Sequence, residues 1–300
     1  MIRIFRLVPA ALAAAILSSP APAGAVPPPL GQAMRAVPPV ADPAPPYAFL
    51  ADLSAAAPVI ADATIRSATR IKGAEAAAVA PGLTRFYVEA DVLALVRGTG
   101  GLPPRVGYLL DVAPGPDGRL SKLKRLRVLL FARRAPDGLG AGDGAAGQIQ
   151  LVSPEGQLDW SPAADAGVRG IVRGLLAPDA PPRVTGVGNA FHVAGSLPGE
   201  GETQIFLQTA DARPVSLSVL RRPGEKPRWA VALSEIVDEA AAPPPPNTLL
   251  WYRLACFLPR ALPDASTAQL APEDADAARG DYRFVLGELG PCGRRARVGG

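Results

Sequence analysis

A single histidine, His192, stands in the chain, and any histidine-dependent mechanism must route through it. A serine nucleophile needs an imidazole to take its proton and a carboxylate to hold that imidazole. Ser196 lies just downstream, and Asp179 and Asp211 fall in the same half of the sequence. Yet His192 sits in Gly188-Asn189-Ala190-Phe191-His192-Val193, which reads as a strand. No serine occupies the strained glycine turn that exposes a nucleophile. The residue therefore reads as a strand histidine bonded to a neighbouring carbonyl. Glu200 and Glu202 offer the paired carboxylates of glycoside hydrolysis. Their glycine-rich setting, Gly195 to Glu202, reads as a solvated hairpin loop and lacks the lysine and following helix of a phosphate loop. A hydrolase built on His192 or on Glu200 and Glu202 is the alternative reading; no residue is assigned a catalytic role and no cofactor is expected.

The most distinctive local chemistry is basic. Arg119, Lys122, Lys124, Arg125, Arg127, Arg133 and Arg134 fall within one short stretch. If Leu126, Val128 and Leu130 point into a core, Arg125, Arg127, Leu129, Phe131 and Arg133 share the opposite face, because successive strand side chains alternate. Arg125, Arg127, Phe131 and Arg133 are accordingly the candidate binding residues, a cationic face with an aromatic for an anionic partner. Trp229, Trp251, Tyr252, Tyr282 and Phe284 fall at core spacings instead. The two cysteines, Cys256 and Cys292, read as one disulfide closing a loop of about 37 residues. With one distant histidine they make no metal ligand set.

The compartment is read from the first residues. Arg3 and Arg6 precede an apolar stretch from Leu7 to Leu17, and Ala23-Gly24-Ala25 has the small-residue form that a signal peptidase seats. Cleavage is expected between Ala25 and Val26, with a cut after Ala23 as the alternative, giving a periplasmic or secreted protein. The apolar core is too short to span a bilayer, as is Thr248 to Leu258, which reads as a core helix. No transmembrane span is expected. Lys plus Arg number 31 against 27 acidic residues. Two of those arginines belong to the leader, so 29 − 27 leaves +2 on the mature chain, a near balance that favours no partner class.

Residues 26–50 form a leader whose many prolines, Pro27-Pro28-Pro29 through Pro45-Pro46, predict an extended, disordered segment. From residue 55 the period becomes two. Val59 to Ile65, Phe86 to Val96, Val106 to Val112, Leu126 to Leu130 and Ile149 to Val152 each offer one apolar face. Five strands with no intervening helix predict a small closed or nearly closed antiparallel barrel over 51–158. A linking helix with its linker follows over 159–182, capped by Ser161 with Pro162 in its first turn. An antiparallel β domain over 183–242 comes next, with strands Val184–Val193, Thr203–Thr209, Pro214–Arg221 and Arg228–Val237. Residues 243–293 read as a helical hairpin packed on it, from Leu249–Leu258 and Glu273–Leu289, and 294–300 as a disordered basic tail. The fold class is mainly β, α+β overall.

The strand order across 55–153 resembles the small five-stranded barrels of the OB and netrin-like type. It departs from them in lacking a helix between the third and fourth strands. The resemblance implies a fold and carries over no functional residue. The whole chain also resembles uncharacterised exported bacterial proteins, which implies a compartment alone. The expected function is a non-enzymatic binding or assembly component of the cell envelope. Its partner would be an envelope protein or an anionic glycan or lipid, and no nucleic acid is expected outside the cytoplasm.

Overall fold

Period-two patterning and the placement of prolines account for most of the architecture in the computed structural model, which describes residues 45–135, 147–233 and 241–294. The signal peptide with its Ala25–Val26 cleavage point and residues 26–44 of the leader lie outside the described residues, as do residues 234–237 of the last expected strand and 295–300 of the tail.

The leader ends earlier than expected. Tyr47–Ala56 is a helix, α1, that buries Ala48, Leu50, Ala51 and Leu53. Proline removes a backbone donor and is tolerated only at a helix edge. Pro46 is the N-cap and Pro58 lies just past the end, so the prolines bound this alanine- and leucine-rich segment instead of extending through it.

Strands β1 (Val59–Arg70), β2 (Thr84–Arg97), β3 (Arg105–Val112), β4 (Arg127–Arg134) and β5 (Gly147–Leu151) close a five-stranded barrel in the order β1-β2-β3-β5-β4, with β4 returning to β1. The barrel is mixed, not wholly antiparallel: β3 and β5 run parallel. Directions that alternate around a ring of five cannot all oppose, so closure forces one parallel pair. The interior holds Ala63, Ile65, Val88, Ala90, Tyr108, Val128 and Leu130, the inward set that the alternation predicts. A further short strand, β6 (Gln157–Asp159), pairs with β4 along Val128–Leu130.

Helix α2 (Pro162–Leu176) begins as expected, the Ser161 hydroxyl accepting from the Ala164 N–H at 3.1 Å. The second sheet is antiparallel, ordered β10-β9-β8-β7 from β7 (Val184–Ala194), β8 (Gly201–Thr209), β9 (Val215–Arg221) and β10 (Arg228–Ala232). Helices α3 (Leu249–Ala255) and α4 (Pro272–Leu289) complete the chain. Cys256, the C-cap of α3, and Cys292, just past α4, form a disulfide. Arg294, expected in a disordered tail, is ordered: it bonds Asp52 of α1 at 2.6 and 3.1 Å, and Tyr252 of α3 bonds the same carboxylate at 2.6 Å.

One apolar cluster joins α1, α2, α3, α4 and the inner face of the second sheet to Ile60, Leu129 and Phe131 on the outside of the barrel. Among the described residues, no helix is long and apolar enough to cross a membrane.

Candidate binding clefts and the histidine network

The four residues expected to form one cationic face have four different environments. Phe131 is fully buried, together with Leu129, because α1 and α2 cover this side of β4. The expected open aromatic face does not exist there. Arg127 gives two hydrogen bonds, of 2.9 and 2.7 Å, to Asp62 on β1, and its guanidinium lies 3.7 Å from the centre of the Trp160 ring. That hydrogen bonding raises the Arg127 pKa further and holds the group charged. Arg133 donates to Gln150 at 3.1 Å. Arg125 alone of the three arginines has no side-chain hydrogen bond or ion pair among the described residues.

Arg125 stands at the barrel's end. Its backbone is left-handed, with φ of 72°, and it is held by reciprocal pairing with β1: Arg125 N–H to Ile65 O and Ile65 N–H to Leu126 O, both 2.8 Å. The preceding residues cross the barrel mouth. Leu123 turns into the barrel interior, while Lys122 and Lys124 on either side of it are exposed. A cleft of about 570 Å³ results, with Phe86, Ser67, Lys122, Lys124 and Arg125 in its walls. Arg70 pairs across from Phe86 and so shares its face. Glu89, paired with Ser67 across β1 and β2, accepts from the Ser67 hydroxyl at 2.8 Å and, among the described residues, from no cation. Lys122, Lys124, Arg125 and Arg70 place four cations around a half-buried aromatic, an arrangement that suits a multivalent anion.

A second cleft, of about 670 Å³, lies between β3 and β5. On one rim Arg85 binds Asp111 through two hydrogen bonds of 2.7 Å. Those bonds hold the Asp111 carboxyl below the usual carboxylate range. Arg133 and Gln150 form the other rim.

His192 belongs to a chain of four side chains. Its Nδ1 lies 2.8 Å from the Thr203 hydroxyl, Thr203 donates to Asp281 of α4, and Arg221 of β9 donates to the other Asp281 oxygen. Thr203 and Asp281 are fully buried. Because the Thr203 proton goes to Asp281, the hydroxyl accepts from His192, which puts the proton of a neutral imidazole on Nδ1. The partner of His192 is thus a hydroxyl backed by a buried acid, not the backbone carbonyl expected. Glu200 accepts from the Leu197 N–H within its own turn at 3.2 Å, and Glu202 accepts from Gln204 at 3.1 Å. No interaction among the described residues joins the two carboxylates, and none forms a metal-binding cluster with other ligating groups.

No family model, curated protein or solved structure matches the chain.

Sequence reasoning missed the partners more than the residues. Asp62 is the one charged residue between Val59 and Ile65, an apolar strand segment. A lone acid at such a position signals a cation brought from elsewhere, since a buried charge requires pairing. Asp281 carries no such signal, lying in a helix with many charged neighbours.

Proposed function

We propose that this protein is a non-enzymatic binding or assembly component of the cell envelope, periplasmic or secreted, whose barrel takes a multivalent anion at the mouth formed by Lys122, Lys124 and Arg125. The observation that carries this reading is selective pairing. Arg127, Arg133 and Arg134 all have acceptors within the protein, whereas the side chains of Lys122, Lys124 and Arg125 have none among the described residues. Anionic glycans and lipid head groups share the required phosphate, sulfate or carboxylate chemistry. The OB-type assignment of the barrel is supported by its strand order and by its parallel β3–β5 pair. Export is supported by the Met1–Ala25 pattern and by the disulfide, a bond that persists in oxidising compartments.

Cosedimentation with vesicles containing an anionic phospholipid, alongside titration with a soluble sulfated polysaccharide, tests the reading and separates the two sources. The informative variant is Lys122→Ala/Lys124→Ala/Arg125→Gly. Glycine suits position 125 because a left-handed backbone strains alanine. Binding to one of the probes should fall about tenfold or more and weaken with salt. Equal binding by the triple variant, or no binding by the parent to either probe, refutes the proposal.

The second reading, a hydrolase, is favoured by the Asp281–Thr203–His192 chain, which leaves Nε2 of His192 as a candidate base. Hydrolysis of a model ester that is lost in His192→Ala would support it.

A further inference from the structure

The cleft between β3 and β5 is an interruption in a sheet, and the ladders on either side of it say which main-chain groups face the gap. The Val92 N–H donates to Pro104 O at 2.8 Å. Main-chain groups in an antiparallel ladder alternate between partner-facing and outward-facing residues. Continuing that alternation along the β2–β3 register turns Val106, Tyr108, Leu110 and Val112 towards β2, and Leu109 and Asp111 towards β5. On the other wall, Ala135 N–H donates to Gln148 O at 3.1 Å and Val152 N–H to Phe131 O at 3.0 Å. Gln148, Gln150 and Val152 therefore face β4, and Ile149 and Leu151 face β3.

Among the described residues, these two edges meet only at Val106–Gly147 and Gly107–Gln148. Beyond that point the strands part and the 670 Å³ cleft opens between them. Main-chain donors and acceptors then stand along both walls at strand spacing, above an apolar floor that includes the buried Leu110 and Ile149. At the far end the Ser153 hydroxyl is buried without a hydrogen-bond partner. Unpaired strand edges are the usual template for adding a further strand.

We infer that this cleft binds an extended segment of another polypeptide, acidic in character, taken up by strand addition to the facing edges at Leu109, Asp111, Ile149 and Leu151. An extended peptide carries alternating N–H and C=O groups along both of its edges, and so matches two facing walls; a glycan or lipid head group has no such repeat. The charge follows from the rims. Asp111 is neutralised by Arg85, while Arg133 gives one N–H to neutral Gln150 and remains exposed, so the net rim charge is positive. This inference does not depend on the anion site at the barrel mouth.

Strand addition draws its affinity mainly from the main chain, so designed probes serve in place of a natural partner. The probes are peptides of about ten residues that alternate valine with glutamate, the same peptides N-methylated at every second residue, and valine–lysine analogues. Amide hydrogen exchange in the full-length protein is the readout. At about 1 mM peptide, the Leu109, Asp111 and Leu151 amides should exchange about tenfold more slowly or better with the glutamate peptide. The N-methylated peptide should give no protection along the wall that its methylated edge faces, because it keeps every side chain but loses the donors of that edge and cannot pair both walls. Arg133→Glu should exchange the preference, favouring the lysine peptide, while leaving binding of the sulfated polysaccharide unchanged. Absence of protection by the glutamate peptide overturns the inference. So does equal protection by the N-methylated form, or protection that follows protein concentration without peptide and so reports self-association.

Discussion

Arg127 and Asp62 are joined across neighbouring strands, and the carboxylate is almost entirely withdrawn from water. Removing the arginine strands a buried negative charge, which is more damaging than losing an exposed pair. Arg127→Ala should therefore lower Tm more than Arg133→Ala, measured side by side by calorimetry. The Asp281 network makes a similar prediction in the second sheet. Asp281→Ala leaves the fully buried Thr203 hydroxyl without its acceptor and should cost about 1–3 kcal/mol in denaturant unfolding. Asp111 adds a pH dependence. Its folded pKa is depressed by hydrogen bonds from Arg85, so the resulting stabilisation is fully present above the ordinary carboxylate value near 4 and is lost as pH falls through the lowered folded value. A plot of Tm against pH for Asp111→Asn should accordingly be flatter on its acid limb than the parent's.

The helices owe their positions to a few fixed points. Tyr252, Arg294 and Asp52 join α3 and the residue range after α4 to α1, and the Trp251 indole donates to Leu289 O at 2.9 Å. The disulfide closes the segment between them at a sequence separation of 36. In the chain-entropy account such a loop is worth up to about 4 kcal/mol. Cys256→Ser/Cys292→Ser should lower the unfolding midpoint in denaturant, and reductant should do the same to the parent but leave the double variant unmoved. The strands were more legible than the helices at this scale. Alternation of apolar with polar residues located β1 to β5 and β7 to β10, although β1 and β4 are buried on both faces over much of their length. α1 was hidden because its neighbours are prolines and its apolar residues lie on most sides of the helix, which leaves little periodicity to read.

At the scale of the molecule, the barrel's outer residues Ile60, Leu129 and Phe131 share an apolar cluster with α2 and the second sheet. Large apolar side chains contribute about 1.5–3 kcal/mol each when buried. A fragment covering 51–158 exposes all three, so it should bind a hydrophobic dye and show no sharp thermal transition. The intact protein should unfold in one transition whether followed by tryptophan fluorescence or by circular dichroism. The same packing decided the candidate site. It covered Phe131 and left the cations of the barrel mouth exposed and without acceptors among the described residues.

Local order was written in the residues themselves: where strands run, where Ser161 caps a helix, which two cysteines must meet, and that one histidine limits the chemistry. These depend on neighbours a few positions apart or on simple counting. That both faces of β4 are buried was decided by the fold, because alternation tells two faces apart but not what covers each. Partners far apart in sequence, Arg127 with Asp62 and His192 with Asp281 through Thr203, likewise arise only when closure of the barrel and docking of α4 bring them within hydrogen-bonding reach.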